Sequence, residues 1–286
     1  MASAHKVLVI LSSVRDGRHG GKVGLAVLKH LESILGLTAE ILGNAITNQL
    51  PFILWYLIRP LFFLDPAEID APLLKQPIHF MPNQDGAPEW MKETKAKIAE
   101  ASGFVIVSSE YNCTIPPALT NLLDYFPPAV YRHKPASIVT YSMGTNQFFT
   151  SFEKSLSVSR ATSEDLLQQS RNLKRGWIGL LFLHFGLTNF CFTPFRASFM
   201  SLFIAFVGNF GGVRANVALR PFLAELGMVV LPSSVSIPTV QNSGIEGDGS
   251  MNNERVDQNM AKLCNELQWY VQALEAQKSA SSGYPN

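Results

Sequence analysis

The stretch that decides the fold lies near the start of the chain: KVLVIL at Lys6 to Leu11, followed by SSVRDGRHGG at Ser12 to Gly21. A short, continuous apolar run bounded by polar turn residues is typical of a strand buried on both faces of a sheet. The loop leads into apolar residues at helical spacing, and this pattern ends at Gly36. The sequence therefore predicts a strand, a polar loop and a helix, with a second strand at Thr38 to Leu42.

Strands and helices alternate along the rest of the chain. Further strands are predicted at Gly103 to Ser108, Ala136 to Tyr141 and Met228 to Leu231, and helices at Glu89 to Ala101, Pro116 to Tyr125, Val213 to Leu226 and Arg255 to Ala276. This alternation favours a parallel sheet with right-handed crossovers. We expect a single α/β domain over residues 1–277, followed by a disordered Ser/Gly-rich tail at 278–286.

Composition excludes several classes of function. The 286 residues include 23 basic and 22 acidic ones, so no basic surplus indicates a nucleic-acid surface. Cys113, Cys191 and Cys264 lie far apart, without the spacing of a metal site or of a disulfide framework. We expect a reduced, cytoplasmic setting, no bound metal and no signal peptide.

Three polar loops follow predicted strands, and ligands bind at the carboxyl ends of strands in folds of this kind. The first loop precedes a helix N-terminus, where free N–H groups and the helix dipole favour an anion. Ser13 offers a hydroxyl, Arg15 and Arg18 offer positive charge, and three glycines permit close backbone approach. This composition suits a phosphate monoester, although a solvated Gly-rich turn would share it, and the loop matches neither the P-loop nor the dinucleotide pattern.

The other two loops offer groups that could hold a flat ring. Glu110, Tyr111 and Asn112 supply an aromatic face and polar hydrogen-bonding groups, although a capped strand-to-helix turn would also look like this. The third loop is Ser142 to Gly144, and Gly211-Gly212 stands further along the chain.

Together, these loops resemble the NADPH-dependent FMN reductase family, which includes flavodoxin-like quinone, chromate and azo-dye reductases. The residues that carry the resemblance are Ser13-x-Arg15-x-Gly17-Arg18-x-Gly20, then Ser109 to Asn112 with Pro116 and Leu119 to Asp124, then Gly211-Gly212-x-Arg214-Ala215. The family binds FMN without a covalent bond. Cys113 departs from the pattern, because it stands where the family commonly has a glycine.

The resemblance implies a flavodoxin-like, doubly wound sheet of five parallel strands in the order 2-1-3-4-5. It implies reduction of flavin, quinone or a similar small acceptor by NADPH or NADH through bound FMN, in a homodimer or homotetramer. The hydride chemistry belongs to the flavin, so no catalytic side chain is expected. The implied FMN-binding residues are Ser13, Arg15 and Arg18 for the phosphate, and Glu110, Tyr111, Asn112, Cys113, Ser142, Gly144, Gly211 and Gly212 for the ring.

Two apolar blocks, Leu50 to Leu64 and Trp177 to Val207, fit this pattern poorly. They predict insertions at about 43–64 and 145–208. A membrane span is disfavoured, because the first block is shorter than the roughly 20 residues required and the second is interrupted by polar residues and proline. A lid or oligomerisation insert remains open, and translated intron sequence is the favoured hypothesis. The alternative function is a non-enzymatic flavodoxin-like binding or regulatory protein, inactivated by the insertion in the third loop.

Overall fold

A computed structural model describes residues 5–35, 63–143, 210–281 and 283 of the chain. These residues belong to one unit, made of Met1–Met143 and Phe210–Asn286. The other unit of the chain, Gly144–Asn209, lies outside the described residues, as does most of the first predicted insertion.

Five strands form one sheet, and every pairing in it is parallel. They are β1 (Val7–Leu11), β2 (Phe63–Leu64), β3 (Gly103–Ser109), β4 (Pro135–Tyr141) and β5 (Val229–Ile237). Their order is β2-β1-β3-β4-β5, which confirms the predicted flavodoxin-like topology. Every residue of β1, β3 and β4 is buried, as expected for apolar strands that are covered on both faces.

The strand beside β1 is formed by the last two residues of the first apolar block. Phe63 pairs with Val9 and Leu64 with Ile10. Successive side chains of a strand point to opposite faces of the sheet. Phe63 accordingly packs in the apolar core on one face, and Leu64 packs in the separate apolar core on the other face. The insertion predicted at 43–64 therefore includes two residues that the sheet uses, whereas the strand predicted at Thr38 to Leu42 lies outside the described residues.

Helices cover both faces of the sheet. They are α1 (Gly20–Leu35), α2 (Pro66–Ile69), α3 (Glu89–Glu100), α4 (Pro117–Asp124), α5 (Val213–Glu225) and α6 (Glu254–Ala280). Apolar residues of α1 and α6 pack on one face, and those of α3, α4 and α5 pack on the other. Within the described ranges, no helix is both long and apolar enough to cross a bilayer.

Two elements extend further than the sequence predicted. The last helix, α6, continues to Ala280, so Lys278 to Ala280 are helical rather than part of a disordered tail. The last strand, β5, continues to Ile237, although its middle section is polar and exposed and so lacks the apolar signal of a buried strand. This extension pairs Ile237 with Tyr141, beside the third loop.

Candidate functional site

The first and second polar loops meet at one edge of the sheet. β1 and β3 are paired neighbours, with Leu11 opposite Val107, so the residues that follow them emerge side by side. The hydroxyl oxygens of Ser13 and Tyr111 lie 2.5 Å apart. The guanidinium carbon of Arg15 lies 5.1 Å from the centre of the Tyr111 ring, within cation–π range. The predicted phosphate loop and the predicted ring loop are therefore in direct contact.

A buried hydrogen bond fixes the base of these two loops. The backbone N–H of Ser109 donates to the Ser12 hydroxyl oxygen at 3.0 Å, and both residues are buried. Because a buried polar pair of this kind is costly to break, the spacing of the two loops is set by the fold itself.

Arg18 stabilises the first loop through an ion pair with Asp65, a residue that the sequence analysis did not identify. Its guanidinium forms a bidentate ion pair with Asp65, with N–O distances of 2.5 and 2.6 Å, and also donates to the Ser13 carbonyl at 2.5 Å. Burial alone would lower the pKa of Arg18, but the hydrogen bonds and charge of Asp65 outweigh it and raise that pKa. Arg18 is thus charged and held in place. Asp65 carried no clear signal in the sequence, because the strand that it follows was not predicted.

Glu110 connects the second loop to α5 and β4. Its backbone N–H donates to the Tyr141 carbonyl at 3.1 Å. Its carboxylate accepts hydrogen bonds from the Arg214 backbone N–H at 3.1 Å and from Arg214 Nε at 2.9 Å. A carboxylate at a helix N-terminus also interacts favourably with the helix dipole. Glu110 therefore joins the second loop to the residues that follow Gly212.

The tip of the second loop is a tight turn. Tyr111 and Thr114 exchange two backbone hydrogen bonds, of 3.0 and 2.9 Å. Asn112 and Cys113, both exposed, have positive φ values of 47° and 66°. Cys113 thus adopts the left-handed conformation that a glycine would adopt more easily, so the departure from the family pattern preserves the turn.

The two described parts of the third loop are brought together on β5. The Ser142 N–H donates to the Ile237 carbonyl at 3.1 Å. Gly211 and Gly212 have positive φ values of 61° and 85°, and a Cβ at Gly211 would lie 2.6 Å from the Ile237 backbone nitrogen. Gly212 approaches β4 closely as well, because a Cβ there would lie 2.9 Å from Thr140 Cβ. Gly144, the remaining predicted residue of this loop, lies outside the described residues.

Tyr141 lies between these loops, and the sequence analysis did not select it as a site residue. Its side chain is buried, and a Cβ at Gly20, the first residue of α1, would lie 2.8 Å from its hydroxyl oxygen. That hydroxyl has no hydrogen-bond partner within the part of the chain that the structure describes. Burial raises the pKa of Tyr141 to about 12, so the hydroxyl stays protonated. Its place at the end of a buried strand was the only signal in the sequence.

The chemistry of this edge fits a phosphorylated ligand with a flat ring. The α1 N-terminus, the Ser13 hydroxyl and the Arg15 guanidinium favour an anion. The Tyr111 ring offers a stacking face, and Gly211 and Gly212 allow a ring to approach the backbone. These groups are the ones that a mononucleotide such as FMN requires. Among the described residues, no group of His, Cys, Asp and Glu side chains could hold a metal ion.

Comparisons with known proteins agree with this fold. The quinone reductases of Escherichia coli (strain K12) and Shigella flexneri are each 28% identical to the chain over 147 residues, which cover 50% of this chain and 63% of theirs. The chain therefore spans less than two thirds of the length of these relatives. The solved structure of FerB, a flavoenzyme NAD(P)H:(acceptor) oxidoreductase from Paracoccus denitrificans, has a similar fold, with a TM-score of 0.52 and 14% identity, covering 94% of this chain and 98% of that one.

A protein-family model also matches the chain, over a slightly longer stretch than the quinone reductases do. The model of the NADPH-dependent FMN reductase family matches residues 5–158, more than half of the chain. This range contains β1 to β4 and the first two loops of the site. The chain belongs to the NADPH-dependent FMN reductase family.

Proposed function

We propose that the chain is an FMN-dependent NAD(P)H oxidoreductase that reduces quinones, flavins or similar small acceptors. The observation that carries this proposal is the meeting of three strand-end loops at one edge of the sheet. Tyr111 contacts Ser13 of the first loop, and Glu110 contacts Arg214, which follows the glycines of the third. Family membership supplies the reaction class, and this geometry supplies a site that suits the family's cofactor.

The residues of the three loops have distinct roles in this proposal. Ser13, Arg15 and the N-terminus of α1 would hold the phosphate, with Arg18 keeping the first loop in shape through Asp65. Tyr111 and the backbone of Gly211 and Gly212 would contact the ring. When bound, FMN supplies the capacity to accept a hydride and to pass two electrons to an acceptor. The protein positions both reactants and needs no acid or base of its own.

We further propose a small-molecule acceptor and an assembly of two or four copies of the chain. Met143, Phe210, Val213 and Val217 border the third loop, and each exposes more than two fifths of its surface. Apolar side chains grouped in this way support an interface close to the ring site. The cytoplasmic location expected from the cysteine pattern stays a prediction.

No observation favours the non-enzymatic alternative. That hypothesis has the insertion in the third loop abolish turnover. Ser142 and Gly211 both contact Ile237, so the two described ends of the third loop lie close together, which supports the enzymatic proposal.

The proposal is tested by loading the purified full chain with FMN and adding NADPH without oxygen. We expect loss of the oxidised-flavin absorbance, and its return when a quinone is added. Arg15→Ala is expected to weaken FMN binding by about ten- to a hundredfold, since a charged hydrogen bond contributes about 1.5–3 kcal/mol. Arg255→Ala, at an exposed position on α6, is the matched control and is expected to bind FMN normally. A chain that binds no FMN, or whose FMN is not reduced, would contradict the proposal.

A further inference from the structure

We propose that the Tyr141 hydroxyl binds a phosphate monoester at the N-terminus of α1, and that it makes the site prefer FMN to unphosphorylated riboflavin. This inference rests on the proposed function and adds a residue and a selectivity to it. It follows from the burial of the hydroxyl, from its position against α1 and from the charges beside it.

The first observation is an unsatisfied donor. The Tyr141 side chain is 3% exposed, and its hydroxyl has no hydrogen-bond partner within the described ranges. Buried hydroxyls are nearly always paired, because leaving one unpaired forfeits its hydrogen bonds with water. Other tyrosines of the fold follow this rule: Tyr131 donates to the Leu123 carbonyl and Tyr125 to the Pro72 carbonyl, both at 3.0 Å. A hydrogen-bond acceptor from outside the chain would pair the Tyr141 hydroxyl in the same way.

The second observation is the direction of this donor. The Tyr141 hydroxyl lies against Gly20, the first residue of the 16-residue helix α1. The first backbone N–H groups of a helix have no acceptor within it, and the helix dipole makes that end positive. An anion at this end would accept hydrogen bonds both from the helix and from Tyr141.

The third observation is the electrostatic setting of the phenol. Burial disfavours its ionised form, and the proximity of Tyr111 acts in the same direction, whereas the nearby Ser109 and Ser13 side chains and the charge of Arg18 oppose them, although neither serine hydroxyl lies in hydrogen-bond geometry with the phenol. Burial is the largest effect and raises the pKa to about 12, so the hydroxyl stays protonated at neutral pH. A protonated phenol can donate to a phosphate oxygen without adding negative charge to the site.

A purely structural tyrosine would explain the ring but not the hydroxyl. The Tyr141 side chain packs in the core on the α1 side of the sheet. A phenylalanine would fill the same space without burying a polar atom that finds no partner among the residues the structure describes. A test of the role of Tyr141 must therefore remove the hydroxyl and keep the ring.

The experiment compares wild type, Tyr141→Phe and Tyr125→Phe in titrations with FMN and with riboflavin, followed by quenching of flavin fluorescence. We expect Tyr141→Phe to weaken FMN binding by about tenfold and to leave riboflavin binding unchanged, since only FMN carries the phosphate. Inorganic phosphate is expected to raise the Tm of wild type and to raise that of Tyr141→Phe less. Tyr125→Phe, which removes a hydrogen bond within the fold, is expected to lower Tm without changing the ratio of the two affinities.

The outcomes separate this inference from the proposed function. Wild type and Tyr141→Phe with the same FMN affinity, or an equal loss for both flavins, would overturn the role of the hydroxyl and leave the proposed function standing. Wild type that binds neither flavin would overturn both. A tenfold loss confined to FMN, together with the weaker effect of inorganic phosphate on Tm, would support the inference.

Discussion

Replacing Gly20 by alanine tests the position of the Tyr141 hydroxyl without any ligand. A Cβ at Gly20 would lie 2.8 Å from that oxygen but 3.7 Å from the ring carbon Cζ. Real Cβ atoms do not approach another atom as closely as the first distance, whereas the second is an ordinary contact. Tyr141 is 3% exposed and has little room to move away. The clash is therefore specific to the hydroxyl oxygen.

The expected energies follow from these two distances. Overpacking in a core costs about 1–3 kcal/mol, and the better helix propensity of alanine returns up to about 1 kcal/mol. We expect Gly20→Ala to lower the free energy of unfolding by about 1–2 kcal/mol in wild type. In a Tyr141→Phe background the oxygen is gone, so the same change is expected to be neutral or to stabilise by up to about 1 kcal/mol.

The assay is a double-mutant cycle of four proteins, measured by urea unfolding in the absence of flavin. Gly21→Ala is the control, because a Cβ at Gly21 would have no neighbour within 4 Å. It is expected to be neutral or to stabilise by up to about 1 kcal/mol, by the same amount in both backgrounds. If Gly20→Ala had the same cost with and without the Tyr141 hydroxyl, the oxygen would not lie where the structure places it.

Three further predictions concern other contacts. Glu110→Gln is expected to lower the free energy of unfolding by about 1 kcal/mol in urea, because it weakens a cap on α5 and an ion pair with the partly exposed Arg214. Deleting residues 145–208 is expected to preserve Tm and FMN binding, because both described parts of the third loop contact Ile237 and therefore lie close together. Burial lowers the pKa of Lys134 to about 8 from 10.5, so the folded protein loses this proton at lower pH than the unfolded chain. The stability of wild type relative to Lys134→Met should therefore rise from pH 8 to 10.5 in urea unfolding at a series of pH values.

Each of these predictions has an outcome that would contradict it. Glu110→Asp, too short to keep the same contacts, should behave like Glu110→Gln, and full stability in both would show that the contact is unimportant. Aggregation of the deletion variant would show that the fold needs the deleted residues. The Lys134 Nζ donates to the Ile98 and Ala99 carbonyls and lies near Glu275 and Lys278. If the stability difference between wild type and Lys134→Met did not change with pH, the effect of burial on the Lys134 pKa would be contradicted.

The sheet was predictable where its strands are continuous apolar runs. β1, β3 and β4 fall within a residue or so of the predicted bounds, because burial on both faces imposes an uninterrupted apolar pattern. β2 was hidden, since Phe63 and Leu64 end an apolar block that the sequence analysis assigned to an insertion. β5 was cut short in the prediction, because its second half, as far as Ile237, is a mostly polar stretch that pairs with β4.

The site was predictable as a set of loops but not as a set of contacts. Strand-end position and composition identified the loops of Ser13 and Tyr111, and the topology explains why they meet. The partners of Arg18 and Glu110 depend on which strands become neighbours, and no local pattern in the sequence encodes that. The absence of a partner for the Tyr141 hydroxyl among the described residues is likewise a property of packing that only the three-dimensional structure reveals.

The claim that three strand-end loops form one mononucleotide site is tested most directly by a crystal structure of the chain with FMN. We predict electron density for the phosphate at the N-terminus of α1, within hydrogen-bond distance of Ser13 and Tyr141. The ring should lie against Tyr111 and the backbone of Gly211 and Gly212. FMN bound at any other place on the molecule would contradict the claim.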